Sequence, residues 1–269
     1  MKKQKNVQLL RNILWAATPL SAVLHIFSVL LSYDDGTNYF RAGTILPVIA
    51  GASTAVLFAI AILIALLTHE TELCDASPFG SQKTVAIPAA IGFAIGGILL
   101  LVEFIKSEAV LWLVTAVLLL LSAAYSLFCE TEARSKEAVT LLGLLPPLAC
   151  ALLVGILYFD LSMEMNAPLK VVTQCALLPL MLYFTAELRY LLGRALPRLY
   201  LALALGSIAA SSLCALAIPA ASIAGFLNNT NCLAAALVVA GVNITVLLRL
   251  KRYLQIPSPE NETKETDAQ

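Results

Sequence analysis

Charge is what this sequence has least of. Only 13% of its 269 residues are Asp, Glu, Lys or Arg, about half the share carried by a soluble globular domain. The seventeen basic and seventeen acidic side chains cancel, so no net field exists to draw nucleic acid. Histidine is scarcer still, with His25 and His69 alone, and general-base capacity is correspondingly small. Cysteine occurs six times, at 74, 129, 150, 175, 214 and 232, always singly. That scatter argues against a disulfide framework or a zinc site, and the residues read as small hydrophobes.

Catalytic signatures are missing as well. There is no GxSxG elbow, no Walker loop and no Gly-rich dinucleotide turn. His69-Glu70-Thr71-Glu72-Leu73 supplies the first half of HExxH, but Leu73 stands where the second histidine must be. With one imidazole gone, the two-ligand helix face that holds zinc cannot form. Enzymatic function is disfavoured but stays open, a membrane enzyme acting on lipid ranking third among the readings, and no cofactor or metal is expected.

What the chain has instead is hydrophobicity: 60% of its residues, for a mean hydropathy of +0.88. A membrane helix needs about 20 largely apolar residues to cross about 30 Å of hydrocarbon. Eight such runs are present, at 10–32, 44–68, 85–105, 109–129, 138–159, 168–188, 199–219 and 231–249. Backbone groups left unpaired in lipid are costly, so the runs are expected to be helices. The fold class that follows is all-α: a polytopic membrane bundle of eight transmembrane helices over 1–256, with a disordered polar cytoplasmic tail at 257–269. The lipid bilayer is then the first partner, and the oligomeric state stays open. Met1-Lys2-Lys3-Gln4-Lys5 followed by an apolar run imitates a signal peptide. The run outlasts an h-region of about 7–15 residues and no small-x-small cleavage site follows, which favours a retained first helix.

Basic residues orient the bundle. Arg41, Lys106 and Lys170 fall on one side, and the other fourteen of the seventeen Lys and Arg fall on the side of the termini. The positive-inside bias therefore expects a multi-pass protein of the cell membrane with both termini cytoplasmic.

Cytoplasmic run endings resemble one another: Thr68–Leu73, Cys129–Arg134, Tyr183–Arg189 and Leu247–Arg252. Glu72, Glu132 and Glu187, then Arg249, recur about every 60 residues, and Pro19, Pro88 and Pro146-Pro147 sit in the first run of three successive pairs. This pattern suggests four parallel helical-hairpin repeats, although any cytoplasmic helix end attracts charge. Small residues recur every fourth position at Gly51/Ala55/Ala59, Gly92/Gly96 and Ala202/Gly206/Ala210/Cys214, ridges that let helices approach closely in lipid.

Two polar groupings are candidate sites. His25 shares a helical face with Thr18, Ser21 and Ser28, and Thr115, Thr173 and Gln174 belong at a similar depth. Together these residues form a candidate pocket, or else a set of interhelical hydrogen bonds. Glu187 is expected to pair with Arg189 or Arg194 near the interface and to bond with Asn243, while Glu130 with Arg134 and Glu132 with Lys136 have ordinary i, i+4 spacing. Glu103 and Asp160 read as solvated outer helix ends, and Asn228-Asn229-Thr230 fits a glycosylation sequon.

The function these features suggest is a membrane-embedded binding, sensing or accessory module whose output would come from a membrane or cytoplasmic protein partner. The alternative is a small-solute or proton-linked transporter using a His25–Gln174 layer and Glu187.

Overall fold

The computed structural model describes residues 2–34, 36–68, 83–130, 136–194 and 196–253, with side chains left aside at 2–11, 83, 136 and 252. The His69–Leu73 motif, Cys74, Glu132, Arg134 and the tail at 257–269 lie outside the described residues.

Each apolar run becomes helix. In chain order these are α1 (Lys2–Ser32), α2 (Leu46–Leu67), α3 (Ile87–Ser107), α4 (Val110–Phe128), α5 (Lys136–Leu142), α6 (Leu145–Phe159), α7 (Pro168–Leu191), α8 (Pro197–Ser211), α9 (Ala217–Ile223) and α10 (Thr230–Tyr253). A short antiparallel pair, β1 (Tyr33–Asp34) with β2 (Tyr39–Phe40), joins α1 to α2, the only strands among the described residues. Prolines begin helices more often than they bend them: α2, α3, α6, α7 and α8 all carry Pro at the first or second position, where no backbone N–H is needed. Pro88 and Pro146 are therefore starters, whereas Pro19 and Pro179 lie inside their helices.

Among the described residues, seven helical segments are long and apolar enough to cross a membrane; one of them, Glu137–Phe159, runs through the turn between α5 and α6. The run at 199–219 is different. It is divided into α8 and α9 by a turn at 212–216. The Ser211 and Ser212 hydroxyls donate to Ile208 O (2.6 Å) and Ala209 O (2.7 Å), competing with the backbone for the carbonyls a continuing helix would use. Pro219 follows in the first turn of α9, where its missing N–H does least harm.

Helix α10 is the axis of the bundle. It packs on α3, α8, α7, α9 and α6, and 67% of its apolar window is buried against 33–44% for the other spans. Its crossing with α3 is backbone on backbone. A Cβ at Gly92 would lie 2.7 Å from Leu237 O and 3.1 Å from the Gly241 Cα, and one at Gly96 would meet Val238 Cγ2 at 2.7 Å. The Gly206–Cys214 ridge is buried too, while Gly51, Ala55 and Ala59 lie on the exposed face of α2. Around α10, α1 packs on α2 and α9, α2 on α8, α3 on α4, α4 on α6, and α7 on α6 and α8. Large exposed aliphatics such as Leu66, Ile105 and Val48 cover the outside, as hydrocarbon contact requires and water would not favour.

Candidate functional site

Three polar clusters are buried in this apolar bundle, and each is assembled from several helices. The first surrounds His25. Spacings of four and three put Ser21, His25 and Ser28 on one face of α1, and all three are buried. Helix α2 supplies Ser53 and Thr54, and the interruption between α8 and α9 supplies Ser212. His25 Nε2 lies 2.9 Å from Thr54 Oγ1, and Thr54 Oγ1 lies 3.0 Å from Ser212 Oγ. Ser21 Oγ joins Ser53 Oγ at 2.7 Å, Thr54 Oγ1 at 3.2 Å and Ser212 Oγ at 3.3 Å. The Ser28 hydroxyl, 1% exposed, finds no partner, and neither does Ser222 on the adjoining α9.

The other residues assigned to this pocket, Thr18 by its helical face and Thr115, Thr173 and Gln174 by depth, stand apart. Thr18 donates to Leu14 O (2.8 Å), Thr115 to Leu111 O (2.8 Å) and Thr173 to Leu169 O (2.6 Å), each within its own helix. Gln174 is half-buried on α7. None of these four bonds to His25. Sequence depth placed them at one level but could not say which helices touch. Thr54, Ser53 and Ser212 were missed for the same reason, although Ser21 and Ser53 belong to neighbouring runs.

The His25–Thr54 separation is that of a nucleophile and its base. Two features oppose that chemistry. Thr54 is shared with two further hydroxyls, and among the described residues no carboxylate orients the ring as a triad requires.

The second cluster is ionic and lies near the other end of α10. Arg249 is buried there because Val242, Val246, Arg249, Leu250 and Tyr253 share the inward face of that helix. Its Nε donates to Glu130 Oε1 at 2.9 Å, and its Nη1 to Glu187 Oε2 at 2.8 Å and to Tyr183 Oη at 3.3 Å. Side-chain exposure is 3% for Arg249, 0% for Glu130 and 2% for Glu187. Tyrosines enclose the group: Tyr183 and Tyr200 have hydroxyls 3.3 Å apart, and Tyr200 packs tilted against Tyr190 and edge-to-face against Tyr253, with centroids 5.2 and 5.5 Å away.

The expected partners of Glu187 and Asn243 are thereby replaced, while Arg134 and Glu132 of the i, i+4 pairs lie outside the described residues. Glu187 pairs with Arg249 rather than Arg189, and Glu130 reaches Arg249 across 119 residues of sequence. Asn243 bonds to Ser207 (2.9 Å) and to Val239 O (2.8 Å) instead of Glu187. Each charge of such a group costs several kcal/mol to desolvate, so geometry and added hydrogen bonds decide whether it stabilises.

The third cluster closes the opposite end of the bundle, about 30 Å from Arg249 at a rise of about 1.5 Å per residue along α10. Asp160 is not a solvated helix end. Its Oδ2 accepts from Asn229 (2.7 Å) and Asn231 (2.8 Å), and its Oδ1 from the Ser162 amide (2.9 Å). Burial pushes its carboxyl up, but the bonds from Asn231, Asn229 and Ser162 outweigh burial and hold it below the ordinary aspartate value. Lys170, 2% exposed, donates to Asp160 O at 2.6 Å and Met163 O at 3.3 Å. Asn231 Oδ1 accepts from Trp112 Nε1 at 3.0 Å. Of the sequon residues, Asn228 is exposed and Asn229 is buried. Glu103 remains exposed enough to pair with Lys106 at 2.7 Å.

Compared with protein-family models, with curated proteins and with solved structures, the chain matches none.

Proposed function

We propose that the chain is a multi-pass protein of the cell membrane that works as a non-enzymatic binding or sensing module. In this reading it crosses the bilayer eight times, with α8, the turn and α9 forming one interrupted span. Both termini then lie in the cytoplasm, as the basic residues favour, and consecutive spans form four hairpins.

One observation carries the choice of binding over transport. The two polar stations that a conduit would use are each closed by neighbouring side chains, His25 on Thr54 at 2.9 Å and Glu187 on Arg249 at 2.8 Å. Groups so satisfied resemble fixed struts more than exchange sites. A transporter, the second reading, is favoured by the interruption at 212–216 beside His25, because broken helices line substrate sites in many carriers.

Proteoliposomes loaded with a pH-sensitive dye separate the two. The binding reading expects proton flux after a pH jump no faster than in empty vesicles, for wild type, His25→Ala and Glu187→Gln alike. Flux present in wild type and abolished by His25→Ala or Glu187→Gln would establish transport instead.

A further inference from the structure

A cavity of about 360 Å³ opens beside the Asp160 cluster, where the β1–β2 connection, the chain after α6 and the loop before α10 come together. Its volume is at the small end of the range for small-molecule sites. The amides of Asn38, Asn228 and Asn229 and the hydroxyl of Ser162 supply the polar part of its wall, while Phe226 and Met163 supply an apolar part. No residue lining it has a charged side chain.

The bonds already made indicate which atoms are left for a ligand. Asn229 is used up, with Nδ2 on Asp160 Oδ2 and on Ser162 Oγ (2.8 Å) and Oδ1 on the Cys232 amide (2.7 Å). Ser162 Oγ accepts from Asn229 and gives its own proton to the Asp160 carboxylate, which leaves it a second lone pair to accept a ligand hydroxyl. Asn38 Oδ1 accepts from Tyr33 Oη at 3.2 Å, which leaves its NH2 group. Asn228 is exposed and offers both ends of its amide. The floor is rigid, because Asp160, Lys170, Asn229 and Asn231 are all buried and bonded to one another or to the adjacent backbone.

We propose that this cavity binds an uncharged polyhydroxy ligand, a sugar ring, through Asn38, Ser162 and Asn228, with Phe226 against its C–H face; the inference rests on the binding reading above. A charged ligand would lose hydration and find no counter-charge on the wall. A purely apolar ligand would strand the amides unpaired. A sugar hydroxyl both donates and accepts, which is what an amide and a hydroxyl jointly match. The ring can arrive as a free saccharide or as the headgroup of a glycosylated lipid.

A reporter is built in. Trp112 bonds Asn231, Asn231 bonds Asp160, and Asp160 bonds the Asn229 wall. With two tryptophans in the chain, a Trp15→Phe variant leaves Trp112 as the single indole. The full chain in lipid nanodiscs is titrated with glucose, galactose and N-acetylglucosamine, and is separately placed in discs with and without a galactosyl diacylglycerol. Calorimetric titration runs in parallel, so that a silent indole hides nothing. Saturable binding of a free sugar supports the inference and points to a soluble ligand; a response to the glycolipid alone supports it and points to a headgroup. In either case Asn38→Gly, which suits the positive φ of that position, combined with Asn228→Ala should weaken binding about tenfold or more, the loss of one to two hydrogen bonds, while a cooperative thermal transition measured alongside shows that the fold is kept.

Binding that survives this double substitution, binding of inorganic phosphate or acetate in preference to sugars, or the absence of any saturable response to either sugar form would overturn the inference. Proton flux in the vesicle assay would overturn the binding reading separately, whatever these titrations give.

Discussion

Arg249 and Glu187 stand 62 residues apart in sequence, yet their side chains meet at 2.8 Å with almost no exposure to solvent. Glu130 takes the guanidinium's Nε, so three run endings that look alike in the sequence converge on one buried point. The resemblance among those endings has a physical correlate: they supply the two acids and the base that tie α7 and α10 to the end of α4.

Removing one partner of this group strands the others. Arg249→Met should lower stability by about 3–5 kcal/mol, measured as thermal denaturation in detergent. Adding Glu130→Gln and Glu187→Gln to Arg249→Met should recover most of that loss, because no uncompensated charge remains. A triple variant as unstable as the single one would mean that the ion pairs act through something other than charge.

The α3–α10 crossing depends on absent side chains. Gly241→Ala would drive a methyl into the Pro88 carbonyl and the Gly92 backbone, and Gly92→Ala would meet Leu237 O; each should cost about 1–3 kcal/mol as overpacking. Gly155→Ala, with open space at its Cβ, should instead be neutral or stabilising by up to about 1 kcal/mol. Melting temperatures of the three variants, compared side by side, check the contrast.

Thr54 is the hub of the His25 cluster, bonded to His25, Ser21 and Ser212. Thr54→Val keeps the shape and removes the hydroxyl, so it should cost about 0.6–2 kcal/mol for each interhelical bond lost. A double-mutant cycle with Ser212→Ala reads the coupling. Additive effects would show that the α8–α9 interruption and α2 are energetically independent.

Asp160 gives stability a pH dependence. Its carboxyl is held below the ordinary aspartate value in the folded chain, so the unfolded chain binds a proton first. The contribution is full above the ordinary aspartate value of about 3.9 and is lost progressively as acid carries the pH from there down through the lower folded-state value. Melting temperature measured against pH should fall less steeply in that window for Asp160→Asn than for wild type. Parallel curves would assign the acid sensitivity to other carboxylates.

The sequence made some of this legible and hid the rest for definable reasons. Run boundaries at 44–68, 109–129 and 231–249 became helices Leu46–Leu67, Val110–Phe128 and Thr230–Tyr253, because length and hydropathy are summed locally. The run at 199–219 hid its interruption, since Ser211 and Ser212 lower hydropathy too little to register; what breaks the helix is where their hydroxyls donate. Helical proximity offers Glu187 the nearby Arg189 and Arg194, whereas the arginine bonded to it, Arg249, lies across the bundle on α10. The polar stripe of α1 marks His25 as a candidate, but its partners come from α2 and from Ser212, and depth along a helix carries no information about which neighbour it faces.

The eighth crossing is the claim on which the rest of the architecture depends, and cysteine labelling tests it at the two ends of the interrupted span. With Cys74 and Cys175 replaced by serine, Arg194→Cys precedes α8 and Asn228→Cys follows α9, and both positions are exposed. A membrane-impermeant maleimide applied to intact cells should label Asn228→Cys at once and Arg194→Cys only after permeabilisation. Labelling of both from the same side would mean that α8 and α9 together do not cross, leaving seven spans and the termini on opposite faces.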